Sequence, residues 1–219
     1  MIKVKEIFKS VQGEGKFVGY KQLFIRLCGC NLNCAYCDTN HDVNNAKDYS
    51  VEEIINICNT SFDCHSVSLT GGEPLLHTEF INALGEKCSL PLYLETNGTM
   101  TNALAEVIDC LTYIAADIKL PSATGLSPLW EEHDMFFELA SQKELFAKAV
   151  FNEKITDFEI HKITHLCKKY NTELILQPMM RGKCPTIDSD FMQEVLDKCL
   201  KVYPNTRLIP QVHKFIDAQ

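Results

Sequence analysis

The chain has 219 residues, a formal net charge of −8 at pH 7, 46% hydrophobic residues and 23% charged residues. This hydrophobic content excludes a disordered chain, and the negative charge argues against a broad surface for nucleic acid or anionic membrane. No linker, repeat or charge block divides the sequence, so we expect one domain over 1–219 that acts on small molecules.

Eleven cysteines are many for this length. No apolar run reaches the roughly 18 residues that span a bilayer. The N-terminus alternates polar and apolar residues like a strand, without the apolar core of a secretory signal. An odd number of scattered cysteines predicts free thiols in a reducing compartment rather than disulfides. We therefore expect a cytoplasmic protein that binds neither membrane nor nucleic acid.

Short apolar segments alternate with amphipathic segments along the chain. The apolar segments, typical of buried parallel strands, are 23–27, 66–70, 91–95, 113–118, 145–151 and 173–177. Helices are predicted at 51–60, preceded by a capping box of Ser50 and Glu53, and at 158–170. Strands that alternate with helices indicate βαβ units, and the predicted fold class is α/β with a parallel sheet.

The run C-N-L-N-C-A-Y-C, residues 30–37, follows the first predicted strand. Its three cysteines, Cys30, Cys34 and Cys37, can hold three irons of a four-iron cluster and leave the fourth iron open to a small molecule. Clustered cysteines are also typical zinc ligands, and Cys28 can supply a fourth sulfur to a structural zinc site. The cysteine spacing alone leaves both interpretations open, including a zinc-stabilised binding module that is not an enzyme.

Unusual polar clusters follow the other predicted strands. They are T-G-G-E-P (70–74), E-T-N-G-T (95–99), D-I-K (117–119) and Q-P-M-M (177–180). The carboxyl ends of parallel strands meet at one edge of a sheet, where ligand sites form. The sequence therefore predicts a single site with the cysteine loop as one wall, and a structural zinc site gives no reason for the other clusters.

The segment S-V-Q-G-E-G-K-F-V-G, residues 10–19, places Gln12 and Glu14 in a glycine-rich loop, and Arg26 ends the next strand. A carboxylate can accept two N–H groups of a 2-amino-pyrimidinone, a glutamine can contact the adjacent donor and acceptor, and an arginine can bind a substrate carboxylate. The set suits a pterin that carries a carboxyl group. The alternative is a surface turn with an unrelated salt bridge.

The cysteine triplet and T-G-G-E-P together resemble the site of the radical S-adenosylmethionine enzymes, over nearly the whole chain. With Q-G-E-G, R-L-x-G-C-N-L-x-C-x-Y-C-D-T, E-T-N-G and P-Q-V-H-K, the sequence closely resembles the 7-carboxy-7-deazaguanine synthase family. The resemblance implies a partial, open TIM-like (β/α)6 barrel with mostly parallel strands, and a [4Fe-4S] cluster, S-adenosylmethionine and Mg2+ as cofactors. It implies a carbon-nitrogen lyase that converts 6-carboxy-5,6,7,8-tetrahydropterin to 7-carboxy-7-deazaguanine with loss of ammonia, on the route to queuosine.

The same resemblance assigns roles to single positions. Metal ligands are Cys30, Cys34 and Cys37 for the iron-sulfur cluster and Thr39 for magnesium. Substrate contacts are Gln12, Gly13, Glu14, Arg26 and Thr70. Cofactor contacts are Tyr36, Gly71, Gly72, Glu73, Asn97, Asp117, Ile118, Lys119, Gln177, Pro178, Met179 and Met180. Thr39 as a helix N-cap, and Met179 and Met180 as packing residues, are the competing interpretations.

The resemblance also implies a homodimer and a flavodoxin-like or ferredoxin-like electron donor. The chain departs from the family pattern where D-I-K replaces the S-P-K of many members. We expect segment 120–144, with Trp130, either to cover the site or to contribute to a dimer contact. An activase of a glycyl-radical enzyme shares the cysteine spacing and the small size and remains an alternative, although it does not explain the pterin-shaped polar groups.

Overall fold

The computed structural model describes residues 1–37, 39 and 42–218. The strands are β1 (Ile2–Val11), β2 (Lys21–Leu27), β3 (Lys47–Tyr49), β4 (Ser66–Gly71), β5 (Leu92–Thr96), β6 (Tyr113–Asp117), β7 (Glu144–Phe151), β8 (Glu173–Pro178), β9 (Met180–Arg181), β10 (Cys184–Pro185) and β11 (Thr206–Leu208). The α-helices are α1 (Val51–Asn59), α2 (Thr78–Gly85), α3 (Thr101–Val107), α4 (Pro121–Thr124), α5 (Trp130–Ala140), α6 (Asp157–Lys169) and α7 (Ser189–Val202).

Within the described residues, nine strands form one sheet in the order β11-β8-β7-β6-β5-β4-β2-β1-β3. All pairs from β11 to β2 are parallel, whereas β1 pairs antiparallel with both β2 and β3. The six predicted strands are β2 and β4 to β8, which are consecutive neighbours in the sheet. The predicted α/β fold, an open and mostly parallel barrel, is confirmed.

Capping boxes start two of the crossover helices. Ser50 Oγ accepts the main-chain N–H of Glu53 at 3.2 Å, and the Glu53 carboxylate accepts the N–H of Ser50 at 2.7 Å, which confirms the predicted start of α1. Thr156 and Glu159 form the same arrangement before α6. In the part of the chain that the structure describes, every helix is too short or too polar to cross a bilayer.

Segment 120–144 forms α4 and α5 between β6 and β7. Helix α5 buries His133, Phe136, Phe137 and Ala140 in the packing of a crossover helix, and it contacts α3. Helix α5 thus packs on the face of the sheet that the crossover helices cover. The sequence did not indicate this position, because the helix is only weakly amphipathic.

The two faces of the sheet carry different side chains. The face toward the helices holds the larger hydrophobic core, with Leu69, Leu94 and Leu176 among its members. The opposite face, called the inner face here, carries a smaller core formed by Phe17, Tyr93, Ala115, Phe146 and Ile175. Because side chains alternate along a strand, the residue two positions further lies on the same face. On β5 to β8 these residues are Glu95, Asp117, Lys148 and Gln177, so the inner face becomes polar at the carboxyl ends.

The loop between β1 and β2 covers part of the inner face of the sheet. Phe17 packs edge-on against Tyr93, with ring centroids 5.7 Å apart. Gly13 of this loop lies against His213, so closely that a Cβ on Gly13 would lie 2.4 Å from the imidazole Nδ1. The main-chain N–H of Val212 donates to the carbonyl of Gly13 at 2.8 Å. Residues 12–14 and 211–214 are thereby held together, although they are nearly 200 residues apart.

We predict that Gly71→Ala lowers the free energy of unfolding much more than Gly19→Ala. Both glycines have positive φ, 116° and 94°, so both alanine variants carry a backbone strain of about 1–3 kcal/mol. A Cβ on Gly71 would also lie 2.2 Å from the carbonyl oxygen of Leu27, whereas one on Gly19 meets nothing within 4 Å. Urea denaturation of both variants measures the difference, and equal losses would contradict the close approach of β4 to β2.

Candidate active site

A cleft with two lobes lies at the carboxyl ends of the parallel strands. The cysteine lobe is lined by the cysteine loop and by residues at the ends of β4 to β8. The arginine lobe is lined by Arg26, Phe8, Phe24 and the loop that contains Gln12 and Gly13. Five residues line both lobes and form their shared wall: Glu14, Thr39, Thr70, Glu95 and Gln211. The two lobes are therefore adjacent parts of one site.

Cys30, Cys34 and Cys37 all line the cysteine lobe. Cys28 is buried and lines a different cavity together with Gly29 and His77. The Nε2 atom of His77 lies 2.8 Å from the carbonyl oxygen of Cys28 and helps to fix this arrangement. Three thiols that face the lobe fit a cluster held by three cysteines. They do not fit the four-sulfur zinc site that would include Cys28.

Gly71 and Gly72 line the cysteine lobe, whereas the Glu73 carboxylate lies behind them and is fully buried. Its oxygens accept the main-chain N–H of Leu75 at 3.1 Å, the hydroxyl of Thr96 at 2.9 Å and the main-chain N–H of Asn97 at 2.8 Å. Burial raises the pKa of Glu73 to about 7, although these hydrogen bonds lower it. The predicted cofactor residue Glu73 therefore joins the ends of β4 and β5 with its side chain and leaves the lobe to the two glycines.

Asp117 and Lys119 line the cysteine lobe beside Tyr36. The Lys119 ammonium donates to Asp117 Oδ2 at 2.9 Å and to the Tyr36 hydroxyl at 3.3 Å. The main-chain N–H of Lys119 donates to Nε2 of His133, so the ring proton lies on Nδ1, 3.0 Å from the carbonyl oxygen of Gly98. Burial lowers the pKa of His133 to about 4 and keeps it neutral. His133, which the sequence did not indicate, thus ties D-I-K to the end of β5.

The structure places the remaining predicted cofactor residues in two environments. Asn97, Pro178, Met179 and Met180 line the cysteine lobe. The side chain of Ile118 packs in the core between the sheet and the helices. Gln177 is buried, and its Nε2 lies 3.3 Å from Glu14 Oε2. Side-chain contact with a cofactor in the lobe is thus open to the first four, and Ile118 and Gln177 support the lobe from behind.

Arg26 is held in the arginine lobe by an acid and an aromatic ring. Its guanidinium donates to Glu6 Oε2 at 2.5 Å and lies over the ring of Phe8, 5.1 Å from the centroid. Phe8 stacks on Phe24 with centroids 5.1 Å apart. The lobe therefore offers a cation and a flat apolar wall to a planar, anionic ligand.

Gln12 is 2% exposed. Its amide nitrogen donates to Gln22 Oε1 at 2.9 Å and to Glu95 Oε1 at 2.8 Å, while its oxygen accepts the main-chain N–H of Glu14 at 3.0 Å. Thr70 donates to the other oxygen of Glu95 at 2.8 Å. Gln12 thus positions two acids of the shared wall and has its hydrogen bonds satisfied inside the protein. Glu95 is a wall residue that we did not assign from the sequence, although it ends the apolar strand L-Y-L-E.

Glu14 is bound through both of its carboxylate oxygens. Its Oε2 accepts the Lys148 ammonium at 2.6 Å, and its Oε1 accepts the Gln211 amide at 2.7 Å. Burial alone would raise its pKa, but Lys148 and these hydrogen bonds lower it to about 2. Lys148 also lies 3.2 Å from Asp117 Oδ1. The sequence analysis missed Lys148, for which the signal was a lysine in the middle of the apolar strand L-F-A-K-A-V-F.

All five predicted substrate residues line the arginine lobe: Gln12, Gly13, Glu14, Arg26 and Thr70. Thr39, the predicted magnesium ligand, lies where the lobes meet. Asp38 of the predicted motif lies outside the described residues. The structure thus brings the predicted substrate residues and the predicted magnesium ligand to one cleft.

The chain is similar to proteins of known families. Residues 24–122 match the family model described as the Radical SAM superfamily. A 7-carboxy-7-deazaguanine synthase from Geobacter sulfurreducens is 35% identical, over 97% of this chain and 96% of the relative. One from Archaeoglobus fulgidus is 33% identical, over 98% of this chain and 97% of the relative. The similarity therefore extends over nearly the whole length of these relatives.

Two solved structures share the fold. The crystal structure of QueE from Escherichia coli superposes with a TM-score of 0.63 at 20% identity, over 97% of this chain and 94% of that one. A radical SAM methyltransferase from Sphaerobacter thermophilus gives a TM-score of 0.63 at 10% identity, over 88% and 70% of the chains. At these identities the structures establish the fold, and the sequence relatives establish the family. The chain belongs to the 7-carboxy-7-deazaguanine synthase family of the radical S-adenosylmethionine superfamily.

Proposed function

We propose that the protein converts 6-carboxy-5,6,7,8-tetrahydropterin to 7-carboxy-7-deazaguanine and ammonia. The atoms balance, because the product and ammonia together have the composition of the substrate. The observation that carries the proposal is that the Glu14 carboxylate and the Arg26 guanidinium, each bound to a different partner, line the same lobe. A carboxylate that accepts paired N–H groups and a cation for a carboxylate are the two groups that a carboxylated pterin requires. The names of the relatives support the product.

The two lobes suit two ligands that react with each other. Membership of the superfamily implies a [4Fe-4S] cluster and S-adenosylmethionine, and the three cysteines of the cysteine lobe would hold the cluster. When bound, these cofactors supply the radical that abstracts a substrate hydrogen atom. The residues of this chain bind and orient: Gly71 and Gly72 allow close approach of the main chain, and Lys119 and Tyr36 form a polar wall. Glu14 and Glu95 line both lobes and would face both ligands.

Thr39 is our proposed protein ligand for Mg2+. It lines both lobes, and therefore lies where an ion could contact the substrate. Mg2+ retains several waters and commonly takes its other ligands from bound substrate, so one protein oxygen is chemically sufficient.

Several other expectations remain predictions. They are the single domain over 1–219, the flavodoxin-like or ferredoxin-like electron donor, the homodimer and the cytoplasmic location. A glycyl-radical activase would need to admit a segment of a partner protein. The polar arginine lobe, with Glu14, Arg26 and an aromatic wall, favours a small anionic heterocycle instead.

The first prediction from this proposal concerns turnover. Protein with a fully loaded cluster, incubated without oxygen with reductant, S-adenosylmethionine, Mg2+ and the carboxylated pterin, should form the deazapurine. Chromatography with mass spectrometry measures the product, and the Glu14→Gln variant should form at least about tenfold less because a neutral amide replaces the acceptor carboxylate. No product from the loaded wild-type protein would refute the proposal.

The second prediction separates two neighbouring cysteines. Cys34→Ala should lose the cluster, because its thiol faces the cysteine lobe. Cys28→Ala should retain about four irons per chain, the content of one cubane cluster, because Cys28 faces another cavity. Iron analysis after anaerobic reconstitution measures both variants. Loss of iron in both would mean that Cys28 is a ligand after all.

The third prediction concerns the acid that contacts Arg26. Glu6→Gln should lower KM for the carboxylated pterin about threefold to tenfold, because the substrate carboxylate would no longer compete with a charged partner of Arg26. The matched control is Glu173→Gln, which removes the acid from the Arg207–Glu173 pair, also 2.5 Å long, outside the cleft. Steady-state kinetics measures the change. A raised KM in Glu6→Gln would show that Glu6 orients Arg26 for the substrate.

A further inference from the structure

We propose that Lys148 is a positioning residue that keeps the Glu14 carboxylate ionised and oriented in the shared wall, and links it to Asp117 of the cysteine lobe. This inference rests on the proposed function, since Glu14 is the group proposed to accept the pterin N–H donors. It assigns a role to a residue that lies outside all the sequence motifs of the site.

The position of Lys148 is fixed by the register of the sheet. Its neighbours on β7, Ala147 and Ala149, pack in the core toward the helices. Lys148 therefore points to the inner face. It lies two residues after the buried Phe146, which is on the same face of the strand. The residue is only 5% exposed, although it lines the cysteine lobe. An ammonium in this place must find its partners inside the protein.

The partners come from two separate parts of the chain. Lys148 Nζ lies 2.6 Å from Glu14 Oε2, in the loop after β1, and 3.2 Å from Asp117 Oδ1, at the end of β6. The second oxygen of Asp117 accepts the Lys119 ammonium at 2.9 Å. Lys148 is thus the bridge between an acid of the shared wall and the charged pair of the cysteine lobe.

The groups around Glu14 make the charge of Lys148 decisive. Some titratable side chains have charges that affect the pKa of Glu14, or have a pKa that the Glu14 charge affects. They are Lys148 on β7, Glu95 and Tyr93 on β5, Asp117 on β6 and His213 of the C-terminal segment. The remaining hydrogen-bond partners, Gln177 and Gln211, are neutral. Glu95 and Asp117 oppose a second negative charge, as does burial. Lys148, which contacts Glu14, offsets them, and His213 also lowers the pKa of Glu14. Lys214 lines the cysteine lobe as well.

The protonation state of Glu14 decides what it can bind. An ionised carboxylate presents only acceptors, as the paired N–H groups of a 2-amino-pyrimidinone require. A protonated carboxyl presents a donor at one oxygen and would face an N–H group of the substrate. Loss of the Lys148 charge would therefore weaken substrate binding at acidic pH, even where the fold and the cluster are retained.

The test uses cluster-loaded Lys148→Gln, which keeps a hydrogen-bond donor and removes the charge. Lys148→Arg is the charge-preserving variant, and Lys148→Met is the second neutral variant if Lys148→Gln does not fold. The matched control is Lys198→Gln, because Lys198 also contacts two acids, Asp157 and Glu194, on the exposed surface. Circular dichroism and iron content verify that each variant is folded and loaded.

The first measurement is the pKa of Glu14, from the 13C chemical shift of its carboxyl carbon, assigned with Glu14→Gln. Removal of a contacting cation should raise it by at least about 2 pH units. The pKa should stay low in Lys148→Arg and Lys198→Gln. An unchanged Glu14 pKa in the neutral Lys148 variants overturns the inference. This measurement needs no turnover, so it decides the role of Lys148 even if the proposed reaction fails.

The second measurement is kcat/KM for the carboxylated pterin against pH. With a Glu14 pKa of about 2, the wild-type protein should show no acid loss due to Glu14 between about pH 6 and 8. In Lys148→Gln kcat/KM should fall only at pH values below the Glu14 pKa measured in that variant, by about tenfold for each pH unit, so the profile is followed down to that pKa. Lys148→Arg should restore the flat profile. A neutral variant whose kcat/KM does not fall below its own measured Glu14 pKa overturns the inference. An inactive wild-type protein, together with a raised Glu14 pKa in Lys148→Gln, refutes the proposed function alone.

Discussion

The contact between the Lys148 ammonium and the Glu14 carboxylate holds together the parts from which the cleft is built. Glu14 lies in the loop between β1 and β2, Lys148 in the middle of β7, and Gln211, which contacts the same carboxylate, beyond β11. Removal of both charges from water is costly unless further polar contacts satisfy them. Gln211 donates a hydrogen bond to Glu14, and Asp117 forms a second ion pair with Lys148. A lysine on an otherwise apolar strand is therefore compatible with the fold only when the loop and the C-terminal segment are in place.

The two faces of the sheet have different roles: one packs against the helices, and the other carries residues of the cleft. The face toward the helices carries the larger hydrophobic core. The inner face is aromatic at the bottom, around Phe17 and Phe146, and polar at the carboxyl ends. The aromatic layer excludes water below Glu14 and Lys148, which strengthens their interaction. Gly71 and Gly72, at the end of β4, leave the main chain accessible in the cysteine lobe. One edge of the sheet therefore forms part of both lobes.

Much of this arrangement could be predicted from short stretches of sequence. The six parallel strands, the capping box at Ser50 and the three cysteines are local signals, and the structure confirms each strand and the cap within a few residues. Glu73 and Ile118 behave differently: both belong to motifs at strand ends, yet the Glu73 carboxylate joins two strands and Ile118 packs under the helices. A motif indicates that a loop lies at the site. It does not indicate which of its side chains face the ligand, because that depends on the turn and on the strand face.

The sequence by itself determined the fold class, the family and the spacing of the three cysteines, since spacing and periodicity are properties of neighbouring residues. Only the tertiary structure decided that Lys148 and Gln211 contact Glu14, across 134 and 197 residues of chain, and that His133 fixes the loop of Lys119. The physical reason is the register of the parallel sheet. A shift of one residue in any strand would turn its inner side chains toward the helices, so the composition of the cleft is settled only when all the strands have paired.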